Sequence, residues 1–275
     1  MNTPRESSLR SGSRGDPEEV DTFTPCPGSA PLPTMVLAQA RMETRLLLRN
    51  GEQLLLALVV PLVVLVGGIV AAHDLDLGLA RNAVDTLTPG VLALAVMSTS
   101  FTSLAIATGF ERRYLVLKRL GSSPLPRSGL LAGKVGALLV VEALQVLLVS
   151  VVAVVLGWSP SLSPGDLAGA LACLLLGTAA FASLGLLVAG SLRAEATLAV
   201  ANLVFLLLMA GGAVVVPSHV YGAGGTLLSL LPSGALGEGM RAALLGHGFP
   251  LGHLLVLAGW TAVGTVLTAR TFRWE

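Results

Sequence analysis

The chain has 275 residues, of which 53% are hydrophobic and only 12% charged, with a mean hydropathy of +0.81. That is more apolar surface than one water-soluble core can hide, so a soluble globular domain is excluded and the chain reads as a polytopic membrane protein. The net charge of +1 gives no reason to expect nucleic acid as a partner. Cys26 lies in a polar tail and Cys173 in an apolar run, so neither a disulfide nor a zinc site is expected. Two lysines against fifteen arginines is a compositional sign of GC-rich bacterial coding sequence.

Residues 1–33 are rich in Ser, Pro, Gly and mixed charge and contain no apolar run. This is the composition of a disordered tail, not of a signal peptide, whose apolar core needs about 7–15 residues. Met35 directly after it leaves open that translation starts there. From Thr34, a candidate N-cap behind Pro33, to about Gln53, Arg41, Arg45 and Arg49 recur at steps of four, with Glu52 on the same side. Met35, Met42 and Leu46 form another stripe. The spacing predicts an amphipathic helix lying along the membrane interface over 34–53.

A helix needs roughly 20 apolar residues to cross a hydrocarbon core of about 30 Å. Six stretches qualify: 54–72, 87–110, 129–156, 167–190, 197–216 and 251–269. Fifteen of the seventeen Lys and Arg residues fall in alternate connecting segments, which by the positive-inside rule puts both termini and the loop 110–127 in the cytoplasm. The last outer segment, 217–250, holds two short apolar pieces, 226–231 and 235–245, divided by Pro232-Ser233-Gly234 and closed by Gly246 and Gly248. Neither is long enough to cross; they are read as a pair that dips into the outer leaflet and returns, against the plainer alternative of an extracellular loop. The expected fold is all-α: a six-helix transmembrane domain over 34–275, with an interfacial helix before the first span and a broken outer segment before the last.

The chemistry of an enzyme is missing. Leu131-Ala132-Gly133-Lys134-Val135 has the Gly-Lys of a phosphate loop, but Ser128 stands where the earlier glycine belongs and Val135 where a Ser or Thr would hold magnesium. His247 and His253 lack a third ligand nearby, and Ser233 lacks the frame of a serine nucleophile. No catalytic residue, resident cofactor or metal is expected, and any energy must come from elsewhere: ATP handled by another subunit, or an ion gradient. The polar residues inside the spans are therefore informative. Ser98, Thr99, Ser100, Thr102 and Ser103 cluster in the second span, and either border a translocation path or bond back to their own helix. Glu142 in the third span costs roughly 2.5–3.5 kcal/mol on insertion scales; it either borders the path or pairs with Gln145 one turn on. Asn202 reads as interhelical glue, and the small-residue stripes Gly129/Gly133/Ala137 and Gly165/Gly169/Cys173/Gly177 as sites of close helix approach.

The one dense cluster of charge between apolar runs is residues 110–127. On a helix, Phe110, Tyr114, Leu117 and Gly121 share one stripe, flanked by Glu111 with Lys118 and by Arg112 with Arg119. The spacing predicts a short amphipathic helix stopped by Gly121, Pro124 and Pro126. Its charges either only fix orientation in the membrane or make it a docking knob for a soluble partner.

The run Phe110-Glu111-Arg112-Arg113-Tyr114-Leu115-Val116-Leu117-Lys118-Arg119-Leu120-Gly121-Ser122-Ser123-Pro124-Leu125-Pro126-Arg127, followed by Leu131-Ala132-Gly133-Lys134, resembles the loop after the second span in permeases of the type-2 ATP-binding-cassette exporter family. That family includes bacterial drug-resistance and polyketide-antibiotic exporters. The resemblance extends over 35–275, through Leu231-Pro232-Ser233-Gly234-Ala235-Leu236 to the ending Arg270-Thr271-Phe272-Arg273-Trp274-Glu275. It implies a membrane-spanning subunit of an efflux system in the bacterial plasma membrane, paired with a second permease copy, usually identical. Two separate ATPase subunits would bind ATP and magnesium. By position, Glu111, Arg112, Arg113, Tyr114, Leu117, Lys118 and Arg119 would lie on the coupling helix seated in the ATPase, with 35–53 leaning on it. Ser98, Thr99, Thr102, Glu142 and Gln145 stand as the candidates for the translocation path. An ion-gradient-driven secondary transporter and a non-transporting membrane scaffold are the rival readings.

Overall fold

A computed structural model describes residues 30–74, 83–120, 124–161 and 163–272. The expectations for the tail before Ala30, for Gly121 and for Arg273-Trp274-Glu275 lie outside the described residues. Every regular element among the described residues is helical, as the unbroken apolar runs require: in lipid a backbone must satisfy its own hydrogen bonds.

Helix α1 (Leu32–Arg49) starts two residues before Thr34, with Pro31 at the N-cap and Pro33 in the first turn, where its missing N–H costs nothing. It lies along α6 (Arg127–Val155). Gly133 makes the approach possible, since a Cβ there would sit 2.6 Å from the Gln39 side chain. The first of the small-residue stripes thus serves packing within the chain. The second does too: a Cβ on Gly177 of α7 (Pro164–Ser191) would meet Leu236 of the outer segment at 2.7 Å.

Among the described residues, five helices are long and apolar enough to cross a membrane: Ala83–Arg113, Arg127–Val155, Pro164–Ser191, Ala194–Gly211 and Leu251–Thr271. The expected first span is α2 (Gly51–Asp74), whose apolar stretch Ala57–His73 is shorter and carries Pro61 inside the helix. The second span is composite. Helix α3 (Ala83–Met97) passes into a π-helical turn, Ser98–Ser103, and continues as α4 (Leu104–Arg113). It is the most enclosed of the five, and from Asp85 to Met97 every residue is buried.

Three stretches differ from the sequence expectation. The interfacial helix expected over 34–53 ends at Arg49, and Glu52 belongs to α2. The fifth span, α8 (Ala194–Gly211), stops well short of residue 216; beyond it the chain runs as non-helical backbone, with Ala213 at φ +53°. The loop 110–127 does not hold one continuous amphipathic helix. Helix α4 ends at Arg113, Leu115 takes φ +59°, and a separate turn, α5 (Val116–Leu120), follows. The outer segment folds as a 3-10 turn (Ser218–Gly224), a single turn α9 (Gly225–Leu228) and α10 (Pro232–Leu244), which wedges between α3 and α7. Pro232 is therefore the first residue of a helix and not part of a separator. Helix α11 (Leu251–Thr271) closes the bundle against α7.

Candidate functional site

The π turn is where the second span changes register, and such turns loosen a helix locally at functional sites. Here it borders a cavity of about 620 Å³ between α2, the second span and α8, lined by Asn50, Ala57, Val60, Ser98, Thr102, Ser103, Ile106, Ala107, Phe110, Leu198, Asn202 and Phe205. None of these carries a charge. The hydroxyl cluster divides: Ser98, Thr102 and Ser103 face the cavity, Ser100 donates to the Val96 carbonyl at 2.5 Å, and Thr99 turns to the opposite side. The buried Thr102 hydroxyl has no hydrogen-bond partner. Asn202, expected as glue between helices, lies in the cavity wall.

Of the remaining path candidates, Glu142 and Gln145 are fully buried behind this wall. The Thr178 hydroxyl lies 2.6 Å from the Glu142 carboxyl and 2.8 Å from the Leu174 carbonyl. Glu142 is therefore tied to α7, not to Gln145 as a local pairing would have it. Gln145 instead accepts from Thr99 at 2.8 Å and donates to the Ala57 carbonyl at 2.8 Å. The cavity thus receives Ser98 and Thr102 of the five, while Thr99, Glu142 and Gln145 sit one layer out.

At the end of the second span, most of the charged residues are used internally. Lys134, buried in α6, donates to Glu43 of α1 at 2.9 Å and to Glu111 of α4 at 2.6 Å; Gln39 also donates to Glu43. One cation thereby fastens three helices. Arg112 donates to the carbonyls of Ala189 and Leu192 at 2.8 and 2.6 Å, capping the last turn of α7 where the helix dipole favours a cation. Arg113 pairs with Glu195 at the start of α8. Leu117 is buried, at 2% exposure, whereas Tyr114, Leu115 and Val116 stand out at 64%, 51% and 38%. The Tyr114 ring stacks on Phe110 and receives the Arg113 guanidinium on its face. Lys118 and Arg119 are exposed beside this patch.

Sequence reasoning missed Leu115 and Val116 because neither lies on the Phe110/Tyr114/Leu117 stripe. A break at Leu115, unmarked by Gly or Pro, is what turns them outward.

At the other end, the irregular backbone 212–216 would leave carbonyls bare inside the bundle. Arg241 of α10 answers three of them, Ala213, Val214 and Val215, at 2.9–3.1 Å, and pairs with Glu238 at 3.2 Å. Glu238 in turn accepts from the Ser218 N–H. Gly90 of α3 lies against the same segment; a Cβ there would meet the Val215 carbonyl at 2.6 Å.

Among the described residues no group of three or more His, Cys, Asp and Glu side chains is placed to hold a metal, and Cys173 is a buried free thiol. A family model described as ABC-2 family transporter protein matches residues 55–270. No curated protein matches the chain.

Proposed function

We propose, since this chain belongs to the ABC-2 family of transporter proteins, that it forms half of the translocation path of an ATP-driven exporter in the bacterial plasma membrane. A separate ATPase subunit binds ATP and magnesium and docks on the patch Tyr114–Leu115–Val116 with Lys118 and Arg119 at its edge. Glu111, Arg112, Arg113 and Leu117 act behind that patch, holding it to α1, α6, α7 and α8. A second copy of the chain completes the path. Both termini and the patch face the cytoplasm, in keeping with the sorting of basic residues between alternate segments.

The observation that carries this reading is continuity. The exposed patch continues directly from the composite helix 83–113, and the middle of that helix borders the cavity through Ser98 and Thr102. Force applied at the patch therefore has a continuous helical route to the cavity wall. The uncharged lining supports a largely apolar cargo, as in efflux of drug-like or antibiotic compounds. It offers none of the ionisable groups that coupling to a proton gradient needs in the path. Thr99, Glu142 and Gln145 support the wall from behind.

The test is copurification with a coexpressed ATP-binding-cassette ATPase encoded beside this chain. Tyr114→Asp with Leu115→Asp is expected to abolish capture while the permease still folds. Undiminished capture would overturn the docking face.

A further inference from the structure

Two irregularities flank the cavity, one in α2 and one in the second span, and a single side chain joins them. Pro61 has no N–H, so the Ala57 carbonyl, four residues earlier, loses its bond within α2. Within a helix bundle, a side chain of a neighbouring helix is one of the groups that can take over such a bond. The Gln145 amide of α6 donates to that carbonyl at 2.8 Å. Its oxygen accepts from Thr99, inside the π turn, at 2.8 Å. Thr99 follows Ser98, and both Ala57 and Ser98 line the cavity. We infer that Gln145 is a positioning residue: its amide clamps the proline-freed carbonyl of α2 to the π turn, and so sets the spacing between the α2 and second-span walls of the cavity. The buried amide, at 1% exposure, never meets cargo; it fixes the width and thereby the size of cargo admitted. This rests on reading the cavity as the path.

The test reads wall spacing directly. Full-length chain with Cys26→Ser and Cys173→Ala carries Val60→Cys on the α2 wall and Ile106→Cys on the α4 wall, in lipid nanodiscs. It is treated with bis-maleimides of increasing span. Gln145→Met is expected to lower the yield of the shortest effective linker at least threefold and to move the optimum to a longer one. Pro61→Ala returns an N–H to the Ala57 carbonyl and makes the α2 arm of the clamp redundant. It should shift the profile by itself, and Gln145→Met should then add nothing. An unchanged profile in Gln145→Met, or equal shifts with and without Pro61, overturns the clamp. If Gln145→Met does not assemble, the double variant with Pro61→Ala must; failure of both also overturns it. The assay uses neither cargo nor ATPase, so its failure leaves the exporter reading standing, whereas undiminished ATPase capture by the patch variant strikes that reading alone.

Discussion

Lys134 sits between two carboxylates at 2.9 and 2.6 Å with 5% of its side chain exposed, and removing one member of such a set leaves the others buried and uncompensated. Lys134→Met is expected to destabilise the fold by about 3–5 kcal/mol, read as a loss of thermal stability in detergent. Adding Glu43→Gln and Glu111→Gln should restore most of it, because the neutral set has no stranded charge. The Gly-Lys pair that resembles a phosphate loop in the sequence is thus a structural joint: the glycine admits α1 and the lysine fastens it. Gly90 makes the complementary case on steric grounds. Gly90→Ala drives a methyl into the carbonyls that Arg241 answers and should cost about 1–3 kcal/mol, while Gly252→Ala, with nothing within 4 Å, should leave stability unchanged. Glu142→Gln keeps an acceptor for Thr178 and is expected to leave assembly intact, checked by size-exclusion profile; Glu142→Ala should not.

At the scale of elements, the break at Leu115 separates stability from docking. A leucine at φ +59° bears a steric penalty of about 1–2 kcal/mol that glycine does not. Leu115→Gly should therefore raise thermal stability by about 1 kcal/mol and at the same time weaken ATPase capture, because an exposed apolar side chain of the patch is gone. Most elements were legible because apolar runs of spanning length have few alternatives in lipid. The Ser-Thr cluster of 98–103 coincides with the π turn, and Pro124 and Pro126 stand just before the start of α6 at Arg127. The π turn, the early end of α8 and the Leu115 break were not legible. The first two coincide with partners far away in sequence: Gln145 for Thr99, and Arg241 for the carbonyls of 213–215. Periodicity reads one helix at a time and is blind to a side chain on another helix that makes an irregular backbone affordable.

For the whole molecule, the membrane topology gives a test independent of any partner. Lys118→Cys and Leu227→Cys, in a Cys26→Ser background, are expected to react with a membrane-impermeant maleimide from opposite sides, Lys118→Cys only in inside-out vesicles. Reaction of Lys118→Cys from outside would overturn the orientation drawn from the basic residues, and reaction of both from one side would overturn the count of spans between them. The bundle also explains why the candidate path residues divided. Helix identity places a residue at a depth, but only packing decides which way it faces, so Ser98 and Thr102 reach the cavity while Thr99 on the same turn does not.

The enclosure of the composite helix 83–113 carries a consequence for timing. It is hemmed in by α7, α8 and α10, and at Gly90 it touches the same irregular segment, 212–216, that Arg241 holds. With 72% of its apolar stretch buried, a tilt imparted at Tyr114 by an ATPase docked as proposed would pass mainly into packed neighbours. The cavity wall and the 212–216 segment would then be displaced together and not one after the other.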